Sequence, residues 1–453
     1  MIYTALVSKL IFPLQERLKR HSSVAVRRQM EASQFWPPAQ LRDLQLRRLR
    51  RLLQRARERV PYYRDLFAQL DFDPQRDLQS LDDLRRLPLT DKATIRGAGE
   101  HLRADDAVGL ARFNTGGSSG EPLIFYIGKE RVSHDVAAKW RATRWWGVDI
   151  GDPEIVVWGS PIELGAQDRM RGWRDRLMRT RLLPAFEMSG PRLDGFIADI
   201  RARKPRMLFG YPSALSHIAR HAKARGQRMD DLGIKVAFVT SERLYEEQRQ
   251  QIEATFGCPV ANGYGGRDAG FIAHQCPQGG MHITAEDIIV ETIGADGEPV
   301  APGMPGEIVV THLATGDFPF IRYRTGDVGV LGQDACGCGR TLPLLKEIQG
   351  RSTDFLVAQD GTVMHGLALI YILRDLPQVK AFKIVQESLA HTSVQVVLDG
   401  QLDEPLRAHI EAGFRARLGA GVQVGVEQVA EIAPERSGKF RYVISKVAAG
   451  QPA

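Results

Sequence analysis

The sequence predicts an α/β protein with a large N-terminal body and a small C-terminal α+β unit. Three observations indicate this fold. Short apolar runs alternate with helical segments from residue 155 to residue 260, alternating β segments follow from 281 to 331, and a βαβ-like stretch of about 100 residues begins after Gly350. We therefore predict an N-terminal domain over residues 1–350, with a basic helical arm over 1–60, and a C-terminal domain over 351–453.

The composition is that of a globular protein with an uneven charge distribution. The chain has 453 residues, of which 43% are hydrophobic and 25% charged, and its net charge is +7. Residues 1–60 hold fourteen Lys/Arg against four Asp/Glu, which is +10, so residues 61–453 carry about −3 by difference. Because a nucleic-acid-binding body needs a basic face of its own, we expect no nucleic-acid partner.

Residues 1–20 form an amphipathic arm. Lys9 interrupts their apolar part and no small-residue cleavage site follows, so a signal peptide is not predicted. Two interpretations stay open: a helix packed on the body of the protein, or a contact with an anionic membrane surface. Four cysteines in a chain of this length are typical of a protein in a reducing compartment. We therefore expect the protein in the cytoplasm, either free there or peripherally bound to the inner membrane face.

The remaining elements follow in chain order. Helical spacing and capping residues predict the helices, and short apolar runs between them predict the strands. Helices are expected over 41–60, from Thr90 or Asp91 onward, and over 132–146, 193–203, 213–225 and 242–256; strands are expected over 155–158, 207–209, 236–239, from 260, and over 282–292, 307–313 and 328–331.

Polar residues follow three of the predicted strands. They are Gly210 to Ser213, Thr240 to Glu242, and Asn262 to Asp268. Function in parallel α/β sheets lies at the carboxyl ends of the strands, so we expect an acyl-binding pocket near the first two segments.

The run Phe113 to Phe125, FNTGGSSGEPLIF, is suited to polyphosphate. Its glycines allow close backbone approach, and its hydroxyl and N–H groups can face an anion. The spacing is not that of a Walker A loop, since Glu121 stands where the lysine motif would begin. The alternative is a surface turn.

Three cysteines and one histidine have the composition of a structural zinc site. Cys276 and His282 are followed about fifty residues later by Cys336 and Cys338. Thiolate and imidazole suit tetrahedral zinc, and four protein ligands leave no open position. The alternatives are His274 as the nitrogen ligand, free thiols, or a redox pair. Cys258 is predicted to be buried and inert.

Five motifs in order carry a family resemblance. They are TGGSSGEP, GYGGRD, YRTGD, GRSTD and SGK, and the segments VPYYRDLF and VKAFKIVQES add to them. With these motifs the chain resembles the adenylate-forming superfamily, in particular the phenylacetate-CoA ligase family and its CapK-like branch. The resemblance covers nearly the whole chain and implies the adenylate-forming fold with a hinged C-terminal lid.

The resemblance also implies an activity. Relatives of this kind activate a carboxylic acid with ATP and Mg²⁺ to an acyl-adenylate, and then pass the acyl group to a thiol such as CoA. It implies that Asp268 binds Mg²⁺, that Arg351 lies near the hinge and the phosphates, and that Lys439 reaches the reacting groups from the lid. The residues implied to bind the nucleotide are Thr115, Gly117, Ser118, Ser119, Gly120, Ser241, Glu242, Gly263, Tyr264, Gly265 and Asp327.

Two departures from the family pattern affect the expected reaction. Glu121 replaces a frequent lysine of the phosphate loop, and the segment after the hinge reads FLVAQDGTVMHGLAL rather than the RGVN-type loop. Adenylation is therefore better supported than CoA transfer. The alternatives are transfer to an amine or hydroxyl in polysaccharide biosynthesis, and a catalytically inactive nucleotide-binding scaffold. The acid is expected to be aryl or medium-chain, and the family resemblance implies a homodimer.

Overall fold

The computed structural model describes residues 2–114, 123–158, 168–185, 188, 190–351, 355–360, 363–365, 367–374, 376–432 and 442–447. Within these ranges, no helix has both the length and the apolar character that crossing a bilayer requires. The described residues group into two compact units. The larger holds residues 2–325 and 330–347, and the smaller holds 326–329 and the described part of 348–447.

Fourteen α-helices lie in the described part of the chain. They are α1 Ile2–Leu6, α2 Phe12–Leu18, α3 Ser23–Ser33, α4 Pro38–Arg59, α5 Pro61–Gln69, α6 Pro74–Asp77, α7 Lys92–Ala98, α8 Lys129–Trp145, α9 Asp168–Met178, α10 Gly190–Arg203, α11 Pro212–Ala224, α12 Glu246–Phe256, α13 Leu367–Arg374 and α14 Glu404–Leu418. A π-helical turn, Val7–Ile11, joins α1 to α2.

Nineteen strands lie in the same ranges. They are β1 Ala111–Asn114, β2 Ile124–Ile127, β3 Glu154–Trp158, β4 Thr180–Pro184, β5 Met207–Gly210, β6 Val236–Thr240, β7 Val260–Gly266, β8 Gly270–Gln275, β9 Met281–Ile283, β10 Ile288–Ile293, β11 Pro305–His312, β12 Tyr323–Leu331, β13 Leu345–Arg351, β14 Phe355–Val357, β15 Val363–His365, β16 Val379–Gln386, β17 His391–Leu398, β18 Gln423–Gln428 and β19 Val443–Ser445.

A seven-stranded sheet forms the centre of the larger unit, in the order β4-β3-β5-β6-β7-β8-β9. The first five strands are parallel, and β8 and β9 are antiparallel additions. Side chains of successive residues point to opposite faces of a strand. Thus Leu208 packs in the core with α10, α11 and α12, whereas Met207 and Phe209 pack on the face covered by α8. Both faces are buried, as the apolar strands predict.

The remaining strands form smaller sheets. β1 pairs with β2 in the larger unit. A separate four-stranded sheet has the order β10-β11-β12-β13. In the smaller unit, β14 and β15 form a hairpin and the sheet order is β18-β17-β16-β19. This mixed sheet with its helices gives the predicted C-terminal α+β unit.

Most predicted elements are present, with shifted ends. Pro61 ends the predicted helix over 41–60 but also begins α5, because proline fits the first turn of a helix. Asp91 caps α7 by accepting a hydrogen bond from the Thr94 N–H. The segment 282–292 is not one strand: a turn at residues 285–287 separates β9 from β10, which belong to different sheets.

Buried charges join α8 to three neighbouring segments of the larger unit. The Arg141 guanidinium and the Glu286 carboxylate are almost inaccessible to solvent and lie 2.6 Å apart. The Ser33 hydroxyl on α3 donates to the same carboxylate at 2.7 Å. At the next residue, the Asp287 carboxylate accepts from Arg48 of α4 at 2.6 Å and contacts His134 of α8 at 2.7 Å. These contacts fix α3, α4 and α8 around the turn at 285–287.

The first prediction concerns this buried pair. Glu286→Gln leaves the Arg141 charge uncompensated in the interior, so we expect the free energy of unfolding to fall by about 3–5 kcal/mol in chemical denaturation. The control is Glu298→Gln at an exposed position, which should change it by less than about 0.5 kcal/mol. Equal stability of the two variants would contradict a structural role for the pair.

Candidate active site and metal centre

The carboxyl ends of β5, β6 and β7 bring the predicted polar segments together. Parallel strands end at the same edge of a sheet, so residues after Gly210 and after Thr240 become neighbours. The Glu242 carboxylate accepts a hydrogen bond from the backbone N–H of Ser213, at the start of α11, at 3.2 Å. Ser241, with φ of +71°, turns the chain sharply between strand and loop. The edge therefore has the arrangement expected of a ligand-binding edge.

An aromatic pair stands beside these strand ends. The rings of Trp158, at the end of β3, and Tyr211, after β5, are stacked with centroids 4.3 Å apart. Tyr211 is buried and Trp158 is half-buried. An added Cβ at Gly210 would lie 2.5 Å from the carbonyl oxygen of Val157, so glycine is needed here for strand packing. The pair packs beside the predicted acyl pocket, and only Trp158 is partly exposed there.

The GYGGRD segment forms a hairpin instead of a loop. The sequence places it after a strand, but β7 continues through Gly266 and turns back as β8. An added Cβ at Gly263 would lie 2.8 Å from the Phe238 ring, and one at Gly265 would lie 2.1 Å from the Gly270 carbonyl oxygen. Packing therefore explains both glycines. Tyr264, between them, is half-buried.

Asp268 occupies the hairpin turn and is held in place from two sides. The hydroxyl of Tyr323 donates to one oxygen of its carboxylate at 2.7 Å, and the Ala269 N–H donates to the other at 3.1 Å. Arg131 of α8 donates to the backbone carbonyls of Arg267 and Asp268 at 3.1–3.4 Å. Each carboxylate oxygen keeps a second lone pair, so Asp268 retains the capacity to bind a cation.

Several predicted residues lie outside the described residues. They are the phosphate-loop residues Thr115, Gly117, Ser118, Ser119 and Gly120, together with Glu121 and Lys439. Asp327 lies in β12, after Gly326 with φ of +77°. Arg351 is the last residue of β13. Their implied roles stay predictions.

The four predicted zinc ligands form one cluster in the larger unit. Cys276 follows β8, His282 lies in β9, and Cys336 and Cys338 lie in the loop after β12; their ligand atoms all lie within 4.8 Å of one another. The Sγ atoms of Cys276 and Cys336 are 3.6 Å apart, and Cys338 Sγ is 3.2 Å from His282 Nε2. Tetrahedral zinc with ordinary bond lengths gives S–S and S–N edges of about 3.8 and 3.5 Å. These two edges of the cluster are therefore within about 0.3 Å of those of a tetrahedral zinc site.

The surroundings of the cluster also suit a metal. His282 Nδ1 lies 3.4 Å from the Leu342 carbonyl, which can only accept, so the proton belongs on Nδ1 and Nε2 faces the cysteines. Burial lowers the pKa of His282 to about 4 and raises that of Cys276 to about 12. The imidazole is therefore neutral, and the buried thiol needs a nearby cation to ionise. An added Cβ at Gly280 would lie 2.6 Å from Cys336 Sγ, so a side chain at this position would collide with the thiol.

The other candidates are not part of the cluster. His274 faces the rings of Phe238 and Phe271, and burial lowers its pKa to about 3. Cys258 is buried, and burial raises its pKa to about 12, which agrees with an inert thiol. All four cysteines are free of disulfide bonds.

Three site residues were missed from the sequence: Trp158, Tyr323 and Arg131. Tyr323 stands in the YRTGD motif, where only the aspartate was assigned a role. Arg131 belongs to a helix 137 residues before Asp268, so only the folded chain shows their contact. Trp158 ends a predicted strand, a position that could have indicated a site residue.

Comparison with known proteins identifies relatives of the whole chain. The model of the CapK C-terminal domain matches residues 356–446. The phenylacetate-coenzyme A ligase of Thermus thermophilus is 28% identical over 399 residues, covering 85% of each chain. Protein CapK of Staphylococcus aureus is 22% identical over 445 residues, covering 96% of this chain and 94% of CapK. Phenylacetate-coenzyme A ligase of Pseudomonas putida is 28% identical over 326 residues, covering 70% of this chain and 72% of that ligase.

Solved structures have the same fold. A 2-hydroxyisobutyryl-CoA ligase, crystallised in the postadenylation state with 2-HIB-AMP, matches with a TM-score of 0.72 at 23% identity, covering 91% of each chain. ATP-bound MatB from Rhodopseudomonas palustris matches with a TM-score of 0.51 at 16% identity, covering 73% of this chain and 66% of MatB. The predicted α/β adenylate-forming fold is thereby confirmed. The chain therefore has the fold of adenylate-forming ligases, and along most of its length it is similar to phenylacetate-coenzyme A ligases and to CapK.

Proposed function

We propose that the protein activates a carboxylic acid with ATP to an acyl-adenylate, with release of pyrophosphate, and then transfers the acyl group to a thiol such as CoA, with release of AMP. The observation that carries this proposal is the strand-end edge. There the β7–β8 hairpin presents Tyr264 and a fixed Asp268. Relatives named phenylacetate-coenzyme A ligase, one of them covering 85% of the chain, support the same reaction.

Different residues would have different roles in adenylation. Attack of a carboxylate on the α-phosphate gathers negative charge, which positioned cations and N–H donors stabilise. Asp268 would hold Mg²⁺, which when bound supplies positive charge at the phosphates. Tyr264 would stack on adenine and Asp327 would bind the ribose, while the phosphate loop and Lys439 would face the reacting groups. Lys439 on a lid domain could serve adenylation and then withdraw for the thiol step.

The stacked rings of Trp158 and Tyr211 support an aryl or apolar acid as substrate. Trp158 and Tyr211 stack beside Gly210, where the sequence predicts the acyl pocket. Offset stacking with a ring on the substrate would add about 0.5–1.5 kcal/mol beyond its burial. We propose that a flat apolar acid lies against this pair.

We also propose that Cys276, His282, Cys336 and Cys338 hold a structural zinc ion. Four protein ligands close the coordination sphere, so the ion has no catalytic position. The loop that carries two of them is hydrogen-bonded to the residues between α3 and α4. The Thr341 hydroxyl donates to the Trp36 carbonyl at 2.6 Å, and the Thr341 N–H donates to the Gln34 carbonyl at 2.9 Å. The ion would therefore fasten the β8–β9 edge to the N-terminal helices.

The second prediction tests adenylation. The rate of acid-dependent exchange of labelled pyrophosphate into ATP should fall by about 100-fold or more in Lys439→Ala, because the variant lacks a cation that stabilises the transition state. Lys446→Ala is the matched control, since this exposed lysine pairs with Glu387 within the smaller unit. Unchanged exchange in Lys439→Ala would refute the role of Lys439. If the unmodified protein shows no acid-dependent exchange, the result would favour a catalytically inactive nucleotide-binding scaffold. A separate measurement of the product mass, with CoA or with a glycan amine added, identifies the acceptor.

The third prediction concerns the support of Asp268. Removing the hydroxyl in Tyr323→Phe frees the carboxylate, so we expect the Mg²⁺ concentration for half-maximal exchange to rise by about 10-fold or more. Tyr63→Phe is the matched control: Tyr63 is buried and its hydroxyl bonds the backbone of Ile321. Both variants should lose about 1 kcal/mol of stability, but only Tyr323→Phe should change the Mg²⁺ dependence. An identical Mg²⁺ dependence would show that Tyr323 does not position a metal ligand.

The fourth prediction concerns the metal. Purified protein and the Cys258→Ala control should contain zinc at about one ion per chain, and Cys338→Ala should lose it, because structural zinc needs all four ligands. Thermal unfolding should shift to lower temperature in Cys338→Ala and on chelation, since metal binding contributes to folding free energy. Zinc near zero in the unmodified protein, with no effect of chelation, would remove the metal proposal and favour free thiols.

A further inference from the structure

The outward side of the N-terminal arm carries an exposed apolar row. Ile2, Leu6, Leu10, Leu14 and Leu18 follow one another at intervals of four residues, and their exposed fractions are 89, 44, 60, 56 and 77%. We call these five residues the arm stripe. Contiguous exposed aliphatic side chains of this extent mark interaction surfaces in soluble proteins.

The arm stripe is not the face that holds the arm to the protein. Val7 and Phe12 are buried on the opposite side, in a cluster with Trp140 and Met178. Gly151 closes this contact, since an added Cβ there would lie 2.6 Å from the Cβ of Val7. The structure therefore contains the first of the two arrangements that the sequence left open, an arm packed on the body of the protein. It leaves a second apolar face, which has no partner among the described residues.

The π-helical turn keeps the stripe in line. In an α-helix, residues four apart are displaced by about 40° around the axis, so a row at this spacing drifts away from one face. The wider turn at Val7–Ile11, between Leu6 and Leu14, rotates less per residue and opposes this drift. A local departure from α-helical geometry therefore keeps the five side chains close to one face.

Helix α9 extends the apolar surface. The Tyr3 hydroxyl donates to the Leu177 carbonyl at 2.9 Å, and the Arg179 guanidinium lies 5.4 Å from the centre of the Tyr3 ring. Trp173 and Leu177 on the same helix are 74% and 40% exposed. Tryptophan is enriched where a protein meets the boundary between lipid and water.

The charges around this surface are positive. Exposed basic residues flank it on the arm, on α9 and directly after α9, at Lys9, Arg17, Lys19, Arg20, Arg174, Arg176 and Arg179. Glu16 is the single carboxylate of residues 1–20, and it is buried, where it accepts a hydrogen bond from Ser23. Asp175 is paired with Arg174. The surface is therefore apolar at its centre and basic around it.

We propose that this surface binds an anionic bilayer, with the arm lying in the plane of the interface and the arm stripe and Trp173 in contact with the acyl region. An apolar row flanked by lysine and arginine is the composition of interfacial helices. A second copy of the chain fits less well, since a two-fold interface would face the same positive rim with itself. The inference is independent of the ligase reaction.

The experiment is co-sedimentation of the full chain with phosphatidylcholine vesicles, with and without phosphatidylglycerol. We expect binding to the anionic vesicles that weakens with salt. The double variant Leu10→Glu/Leu14→Glu should bind roughly tenfold more weakly or worse, because it places charges in the apolar contact. Its matched control is Val108→Glu/Met304→Glu, at apolar positions that are 84% and 57% exposed elsewhere. This control should bind like the unmodified protein.

Two further measurements decide the occupant. Vesicles should shift tryptophan emission to shorter wavelength, and Trp173→Phe should remove most of that shift. Light scattering gives the oligomeric state of the unmodified protein and of Leu10→Glu/Leu14→Glu. Equal vesicle binding by the two double variants, or no binding by the unmodified protein, would overturn the proposal. A dimer that the stripe variant dissociates, without vesicle binding, would make this a self-association surface instead.

Discussion

The larger unit depends on charges buried along α8. Arg141 pairs with Glu286, and Arg131 pairs with Asp135 at 2.9 Å. A charge in the interior is tolerated only when it is paired, so any other position of α8 would leave several charges uncompensated. Burial by itself would raise the pKa of Asp135, but the interactions with Arg131 and His312 together outweigh it, so the pKa lies below its usual value. The pairing therefore fixes α8 at one position on the sheet.

The same helix supports the candidate site. The four residues proposed to bind zinc, here called the metal cluster, support it from the other end. Arg131 donates to the backbone at Asp268, where the hairpin turns into β8. Cys276 directly follows β8 at its other end and belongs to the metal cluster. The strand that follows Asp268 is thus held at its start by α8 and at its end by the cysteines and His282. A site needs such support, because small displacements of its groups lower activity sharply.

The predictable parts of the structure are those that the sequence encodes locally. Strand β6 and helix α11 follow from apolar runs and helical spacing, and the metal cluster follows because cysteine and histidine are scarce enough to be matched across 60 residues. The β7–β8 hairpin was missed because a glycine-rich segment has little intrinsic preference for strand, and pairing with β6 and β8 decides its conformation. The contact of Tyr323 with Asp268 spans 55 residues and belongs to the fold alone.

The GYGGRD motif combines close backbone packing with two side chains that we propose bind the ligand. Neighbouring residues of a strand face opposite sides, so the close fit of Gly263 against Phe238 directs Tyr264 to the other side. At Gly265 the pairing with β8 shifts register, and the glycine lets the Gly270 backbone approach. Asp268 lies in the turn beyond this shift, where its carboxylate accepts a hydrogen bond from the Tyr323 hydroxyl. The glycines of the motif therefore build the hairpin that carries Tyr264 and Asp268, the two side chains that we propose bind the ligand.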